Sequence, residues 1–258
     1  MVSEHNDAVR EQFRLQAASF SESGFAVRGL DWIVAELAPA ATDQVLDVAA
    51  GAAHLGRALA PRVAHVSALD LTPEMLAQGQ RLATANGLRN IIFLQGDAMS
   101  LPWIDRQFDL TACRLTLHQV ADPRAVVREM VRVTRIDGRI AIIDMVAVDA
   151  PPVAAEMNRL ERLRDPSHGR TLTLAETEEL LTEAGARVIH RVSREQPVDV
   201  EDWMERTATP PAVRNEIRGR FAAELAGGTP TGLYPFHADD GTLMLTHTWA
   251  MTVAVPLA

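Results

Sequence analysis

Val45-Leu46-Asp47-Val48-Ala49-Ala50-Gly51-Ala52-Ala53-His54-Leu55-Gly56, answered by Val66-Ser67-Ala68-Leu69-Asp70, reads as an apolar strand, a turn of small residues, a helix start and a second strand ending in a carboxylate. An acid at that strand end is placed to accept hydrogen bonds from ribose hydroxyls. The turn decides which nucleotide is bound. A pyrophosphate needs G-x-G-x-x-G, so that bare backbone meets it at the helix N-terminus. Here glycine stands only at Gly51 and Gly56, with Ala49 and Ala53 between and before them. The loop is tight without cradling phosphate. A ribose-bearing ligand with no phosphate fits better, and S-adenosylmethionine (SAM) is such a ligand.

Working outward, strands are expected at about 44–49, 65–70, 91–95, 108–113 and 139–147, with helices at 54–60, from Thr72-Pro73-Glu74 to Asn86-Gly87, and at 123–134. Thr72 is the expected N-cap and Pro73 the first helical residue. Asp137-Gly138 reads as a turn. Strands alternating with helices imply a doubly wound, mostly parallel sheet covered on both faces. In front, Val9, Phe13, Gln16, Ala17 and Phe20 share helical spacing up to a break at Ser21–Gly24, and a second helix is expected at 27–37. After Asp149 the rhythm changes. A helix from Pro151-Pro152 to Arg164, a loop Asp165-Pro166-Ser167-His168-Gly169 and a helix capped by Thr173 form an inserted stretch. A strand at 187–197, helices at 199–206 and 211–226, a Gly/Pro-rich loop at 227–235 and a strand at 243–255 complete the chain.

At 258 residues the chain fits one α/β domain. We divide it into N-terminal cap helices (1–40), a cofactor-binding core (41–149), a helical insertion or lid (150–185) and edge strands with helices (186–258). Hydrophobic residues at 47% and charged ones at 23% describe an ordinary globule. A formal charge of -9 and the absence of a cationic run argue against nucleic acid. Every cation is arginine, so Schiff-base and lysine-base chemistry have no residue to use. One cysteine, Cys113, makes no internal disulfide, and no apolar run reaches membrane-spanning length. The polar first ten residues do not read as a signal peptide, so a cytoplasmic location is expected. A homo-oligomer is left open.

In open α/β sheets the ligand sits outside the carboxyl ends of the strands. That rule selects Asp47 to Ala53, Asp70-Leu71, Asp97-Ala98, Cys113-Arg114 through His118, and Asp144. Of these, Asp47, Ala49, Gly51, Asp70, Leu71, Asp97, Ala98, Cys113 and Arg114 are expected at the cofactor. His118 is the candidate general base, because an imidazole near neutral pH suits that work. Asp144 is expected to orient it, with metal binding the weaker reading, and we assign no metal site. His168, in the inserted loop, is placed to reach down onto an acceptor. His54 reads as a helix-start or cofactor-edge contact, and His237 has no readable role.

Five blocks in order give the chain a resemblance to the class I SAM-dependent methyltransferases. They are 45–55, Leu69-Asp70-Leu71-Thr72-Pro73-Glu74-Met75-Leu76, Gln95-Gly96-Asp97-Ala98-Met99-Ser100-Leu101-Pro102, Phe108-Asp109-Leu110 through His118, and 138–144. Within that class the chain resembles the quinone C-methyltransferase-like (type 11) small-molecule group. The resemblance implies a seven-stranded sheet with an antiparallel edge pair, a helical lid, ribose binding by Asp70 and adenine contacts at Asp97-Ala98, Leu71 and Met75. It also implies a supporting role for Asp47 at the methionine end. It implies methyl transfer to oxygen or carbon of a small aromatic or polyketide-like acceptor. The family usually has glycine at Ala53 and often at Ala49. A methyl at Ala53 is expected to crowd the cofactor, and to be costly at positive φ. That departure supports an alternative, a methyltransferase-like SAM-binding protein that transfers no methyl. A nicotinamide oxidoreductase is disfavoured by the missing phosphate glycines.

Overall fold

The computed structural model describes residues 2–16 and 24–257. Helix α1 (Val2–Gln16) is followed, past a 3-10 turn at Gly24–Val27, by α2 (Leu30–Leu37), β1 (Gln44–Val48), α3 (His54–Leu59), β2 (His65–Asp70), α4 (Pro73–Ala85), β3 (Ile91–Gln95), β4 (Phe108–Arg114), α5 (Pro123–Val133) and β5 (Thr134–Met145). The remainder is α6 (Pro151–Arg164), α7 (Leu174–Glu183), β6 (Ala186–Asp199), α8 (Val200–Glu205), α9 (Pro211–Leu225), β7 (Phe236–His237) and β8 (Leu243–Pro256). Ala17, Phe20 and Ser21 to Ser23, which carried part of the expected first helix and its break, lie outside the described residues.

The sheet runs β3-β2-β1-β4-β5-β8-β6, with the two-residue β7 paired to β8. Neighbours from β3 to β5 are parallel, while β8 is antiparallel to both β5 and β6. This is the expected doubly wound sheet with its antiparallel edge pair, extended by one short strand. Strand order reverses between β1 and β4, which opens a crevice at their carboxyl ends. Period-2 alternation sorts the strand residues onto two faces. Leu46, Val48, Leu69, Cys113 and Ile142 pack with α5 and α7 on one side. Val45, Val66, Leu110, Ala112 and Ile143 pack with α2 and α3 on the other. A third cluster stands apart, in which Met157 and Leu160 of α6, Trp203 and Met204 of α8, and Ile217 and Phe221 of α9 close over Leu245 of β8.

Several local readings change. Asp137-Gly138 makes no turn between elements, because β5 already begins at Thr134. The pairing jumps from Phe108↔Thr134 to Leu110↔Arg139, so the extra residues are absorbed as a bulge. Thr72 makes no side-chain cap on α4, since its hydroxyl is engaged with Asp70 instead. Thr173 does cap α7, in a reciprocal capping box with Glu176. The 150–185 stretch serves two layers. Leu180 and Leu181 of α7 join the main core beneath α5, whereas α6 belongs to the third cluster.

The cofactor loop is braced from below at Gly79 of α4. A Cβ there would lie 2.8 Å from the Ala52 carbonyl oxygen and 2.7 Å from Phe93 Cε1. Backbone cannot retreat as a flexible side chain does. We expect Gly79→Ala to cost a net ~1–2 kcal/mol, overpacking outweighing the gain in helix propensity. The thermal midpoint should then fall by roughly 2–6 °C. A midpoint that holds or rises would show that the loop yields to the methyl.

Candidate active site

A cavity of about 250 Å³ lies over the carboxyl ends of the parallel strands, reaching from the β1–α3 loop to Trp203 and His247. Its first half is made by backbone curled around Asp70. One oxygen of Asp70 accepts the Gly51 N–H at 2.7 Å and the other accepts the Thr72 N–H at 2.8 Å. This single carboxylate therefore ties together the loops after β1 and β2. Ala49, Gly51 and Ala53 all adopt left-handed φ of 51–55°. For the two alanines this conformation costs roughly 1–2 kcal/mol each. Ala49 and Gly51 line the cavity, while Ala53 is fully buried and is not part of its wall. The strain expected at Ala53 is present, but the crowding is not, because its methyl packs into the protein.

Asp47 reaches the same wall from β1 and accepts the Gly56 N–H at 2.8 Å. Burial pushes its carboxyl up to about 7, with the Gly56 amide and the Arg114 guanidinium pulling the other way. Asp97 accepts from the Met99 amide at 2.9 Å and from Asn6 Nδ2 of α1 at 3.1 Å. Helix α1 is thereby fastened across this end, where Val9 and Phe13 join the lining with Leu71, Met75 and Ala98.

The second half contains a buried imidazole–carboxylate pair. His118 Nδ1 lies 2.5 Å from Asp144 Oδ1, and Asp144 Oδ2 accepts the Thr116 and Leu117 amides at 3.1 and 2.7 Å. The carboxylate fixes the proton of a neutral ring on Nδ1, which leaves the Nε2 lone pair for the cavity that His118 lines. Burial disfavours the imidazolium. The adjacent Asp144 charge and hydrogen bond outweigh it, and the His118 pKa is raised.

Comparison with known proteins decides the class. The family described as "Methyltransferase domain" matches residues 46–142. The uncharacterized methyltransferase YcgJ of Bacillus subtilis is 36% identical over 171 residues, 66% of this chain and 67% of YcgJ. The chain belongs to the SAM-dependent methyltransferases. The crystal structure of YcgJ superposes with a TM-score of 0.79 at 29% identity, covering 89% of this chain and 98% of YcgJ. A ubiquinone/menaquinone biosynthesis C-methyltransferase from Roseobacter denitrificans is 32% identical over 125 residues, 47% of this chain and 48% of that one. This methyltransferase uses SAM, and its cavity fits that ligand: a strand-end carboxylate faces a tight loop without a phosphate cradle.

The structure brings Asp47, Ala49, Gly51, Asp70, Leu71, Met75, Asp97, Ala98, Arg114 and His118 to one cavity. Asp144 stands directly behind His118. Cys113 is placed elsewhere. It points into the main core with no exposure, because alternation along β4 turns it away from the neighbouring Arg114. His168 does not reach onto an acceptor either. Its Nε2 pairs with Asn158 Oδ1 at 3.1 Å, and its ring lies 5.6 Å from that of His118, outside the cavity wall. Burial holds it down to about 4, so it backs His118 as a neutral ring. His54 lines the cavity, whereas His237 is exposed and meets only the Gly241 carbonyl at 3.2 Å. Among the described residues no group of three or more metal-binding side chains assembles.

Sequence reading missed Phe25, Arg164, Trp203, Arg206 and His247, all on the wall. The alternation Leu245-Thr246-His247-Thr248-Trp249 marks His247 as inward-facing. Nothing local marks Arg206, which follows the short α8.

Proposed function

We propose that the protein transfers a methyl group to oxygen or carbon of a small aromatic or polyketide-like acceptor, with His118 as general base and Asp144 as its positioning carboxylate. The observation that carries this reading is the His118–Asp144 pair on the wall of the same cavity as the loop held by Asp70. SAM, when bound, supplies an activated methyl group and its own leaving group. The chain's part is then proximity, orientation and proton removal. Asp70 is assigned to the ribose hydroxyls, Asp97 and Ala98 with Leu71 and Met75 to the adenine, and Asp47 with Arg114 to the methionine end. His118 Nε2 takes the proton of an acceptor hydroxyl or acidic carbon, and Asp144 stabilises the resulting imidazolium. The 1–40 segment serves as cap and the 150–185 segment as lid over the 41–149 core, a reading supported by Asn6, Val9, Phe13 and Phe25 from the first and Arg164 and Asp165 from the second on the cavity wall. A cytoplasmic enzyme acting on small molecules and not on nucleic acid belongs to the same reading, supported by the charge of -9 and the single cysteine.

The direct test incubates the protein with methyl-labelled SAM and cell extract and follows the label by mass spectrometry. Label in one small organic product supports the reading. Tight SAM binding with no labelled product would favour the non-transferring alternative.

A second measurement addresses Asp47. With its carboxyl near pKa 7, about half of the ligand-free protein carries that proton at neutral pH. A cationic methionine end beside it favours the carboxylate. SAM binding at pH 7 is therefore expected to release roughly 0.5 proton. Calorimetry in two buffers of different ionisation enthalpy reads this release, and Asp47→Asn should abolish it. Equal heats in both buffers would remove Asp47 from the methionine end.

A further inference from the structure

At the end of the cavity away from Asp70, hydrogen-bond donors outnumber the acceptors left to serve them. The nearby carboxylates are buried among partners of their own. Glu161 Oε1 accepts from His247 Nε2 at 2.9 Å, and its Oε2 is ion-paired 3.2 Å from Arg164 Nη2 without accepting a hydrogen bond. Asp165 accepts the Ser167 amide and hydroxyl at 2.9 and 2.6 Å and Gln119 Nε2 at 3.3 Å. Asp144 is occupied by the His118 ring and the amides of Thr116, Leu117, His118 and Met145. The Arg206 guanidinium, by contrast, has no hydrogen bond or ion pair among the described residues. It only stacks on Phe25, with Cζ 4.1 Å from the ring centroid. Arg164 Nε and Trp203 Nε1 are buried donors with no partner, whereas the neutral His247 ring, with its Nε2–H on Glu161, leaves Nδ1 as an unpartnered acceptor.

A half-buried guanidinium on a cavity wall with no side-chain acceptor of its own is open to a ligand that supplies one. Burial, with the charges of Arg164 and Arg28, lowers the Arg206 pKa to about 10 against the opposing pull of Glu161 and Asp202, and the group stays protonated at neutral pH. The planar fork of arginine, held flat by an aromatic face, matches the two oxygens of a carboxylate. We propose that the methyl acceptor carries a carboxylate, bound by Arg206 at the wall it shares with Arg164, Trp203 and His247. This rests on the methyltransferase reading above and names its substrate class, an organic acid whose apolar body lies against Phe25 and Trp203. The carboxylate fixes one end of the acceptor, so the hydroxyl or acidic carbon is presented to His118 at the other.

The probes are benzoate, benzamide and phenyl phosphate, titrated by calorimetry into wild-type protein saturated with S-adenosylhomocysteine, the demethylated form of the cofactor. Benzoate is expected to bind with Kd in the low-millimolar range and at least about tenfold more tightly than benzamide. Arg206→Gln should erase that preference. The comparison within the wild type needs no variant to fold, and near-UV circular dichroism checks that the variant does. Equal binding of benzoate and benzamide, no saturable benzoate binding up to about 50 mM, or a preference surviving in Arg206→Gln would overturn the proposal. Tighter binding of phenyl phosphate than of benzoate would overturn the carboxylate assignment in favour of a phosphorylated acceptor. Affinity for S-adenosylhomocysteine is measured first and separately, so its absence would count against the methyltransferase reading and not against the anion site.

Discussion

Replacing His118 by alanine lowers methyl transfer by about 10²- to 10⁴-fold, the usual worth of a positioned general base, while SAM affinity stays within roughly threefold. The dissociation is expected because His118 is hydrogen-bonded to Asp144, whereas the loop after β1 is held by Asp70. The pH profile supplies the sign. A base must be neutral to act, and the Asp144 carboxylate raises the His118 pKa despite burial. The wild-type rate should therefore rise with pH along a limb centred above about 6.5, the ordinary imidazole value. Asp144→Asn removes the charge that favours the imidazolium, so burial dominates and the limb should move down while the rate falls. Single-turnover assays with methyl-labelled SAM and the acceptor found from it read both effects. Near-normal turnover in His118→Ala across the range would leave catalysis to proximity alone.

Asp70→Ala should weaken SAM binding by about 30- to 10³-fold, or roughly 2–4 kcal/mol, through loss of charge-assisted bonds to the ribose. The same substitution strands the Gly51 and Thr72 amides, which are 2.7 and 2.8 Å from the carboxylate. Two loops are thereby loosened, and the thermal midpoint without ligand should drop as well. Measuring SAM affinity at several temperatures below that midpoint separates the two contributions. Affinity unchanged where the variant is fully folded would remove Asp70 from the ribose.

What was legible in the chain follows from how local each signal is. The segment from Val45 to Asp70 encodes strand, turn, helix and strand within one βαβ unit, so its fold and its carboxylate are readable from neighbours in sequence. His118 and Asp144 were recognisable separately as strand-end residues, and the β4–β5 pairing brings them together. His168 was misplaced because a loop's direction is set by what it packs on. Here that is Asn158, ten residues earlier on α6. Cys113 was misplaced for a simpler reason: a strand end offers alternate residues to opposite faces, and Arg114 took the cavity side. Trp203 of α8, Arg206 just after it and His247 of β8 lie more than fifty residues beyond the last parallel strand. Their convergence is a product of tertiary packing and left no short-range pattern to read.

The third hydrophobic cluster has a consequence for how such a protein changes over generations. Trp203 belongs to it, and Arg164 and Arg206 are carried on the helices it binds together, while the Asp70 loop is supported by the two clusters flanking the sheet. Mutations on α6 and α8 are thus buffered by a separate packing unit from those that hold the nucleoside. Substitutions that alter acceptor preference are expected to be tolerated on the former without disturbing the latter. A chimera that takes the α6 and α8–α9 segments from a relative is expected to import the relative's acceptor preference together with the core that supports it.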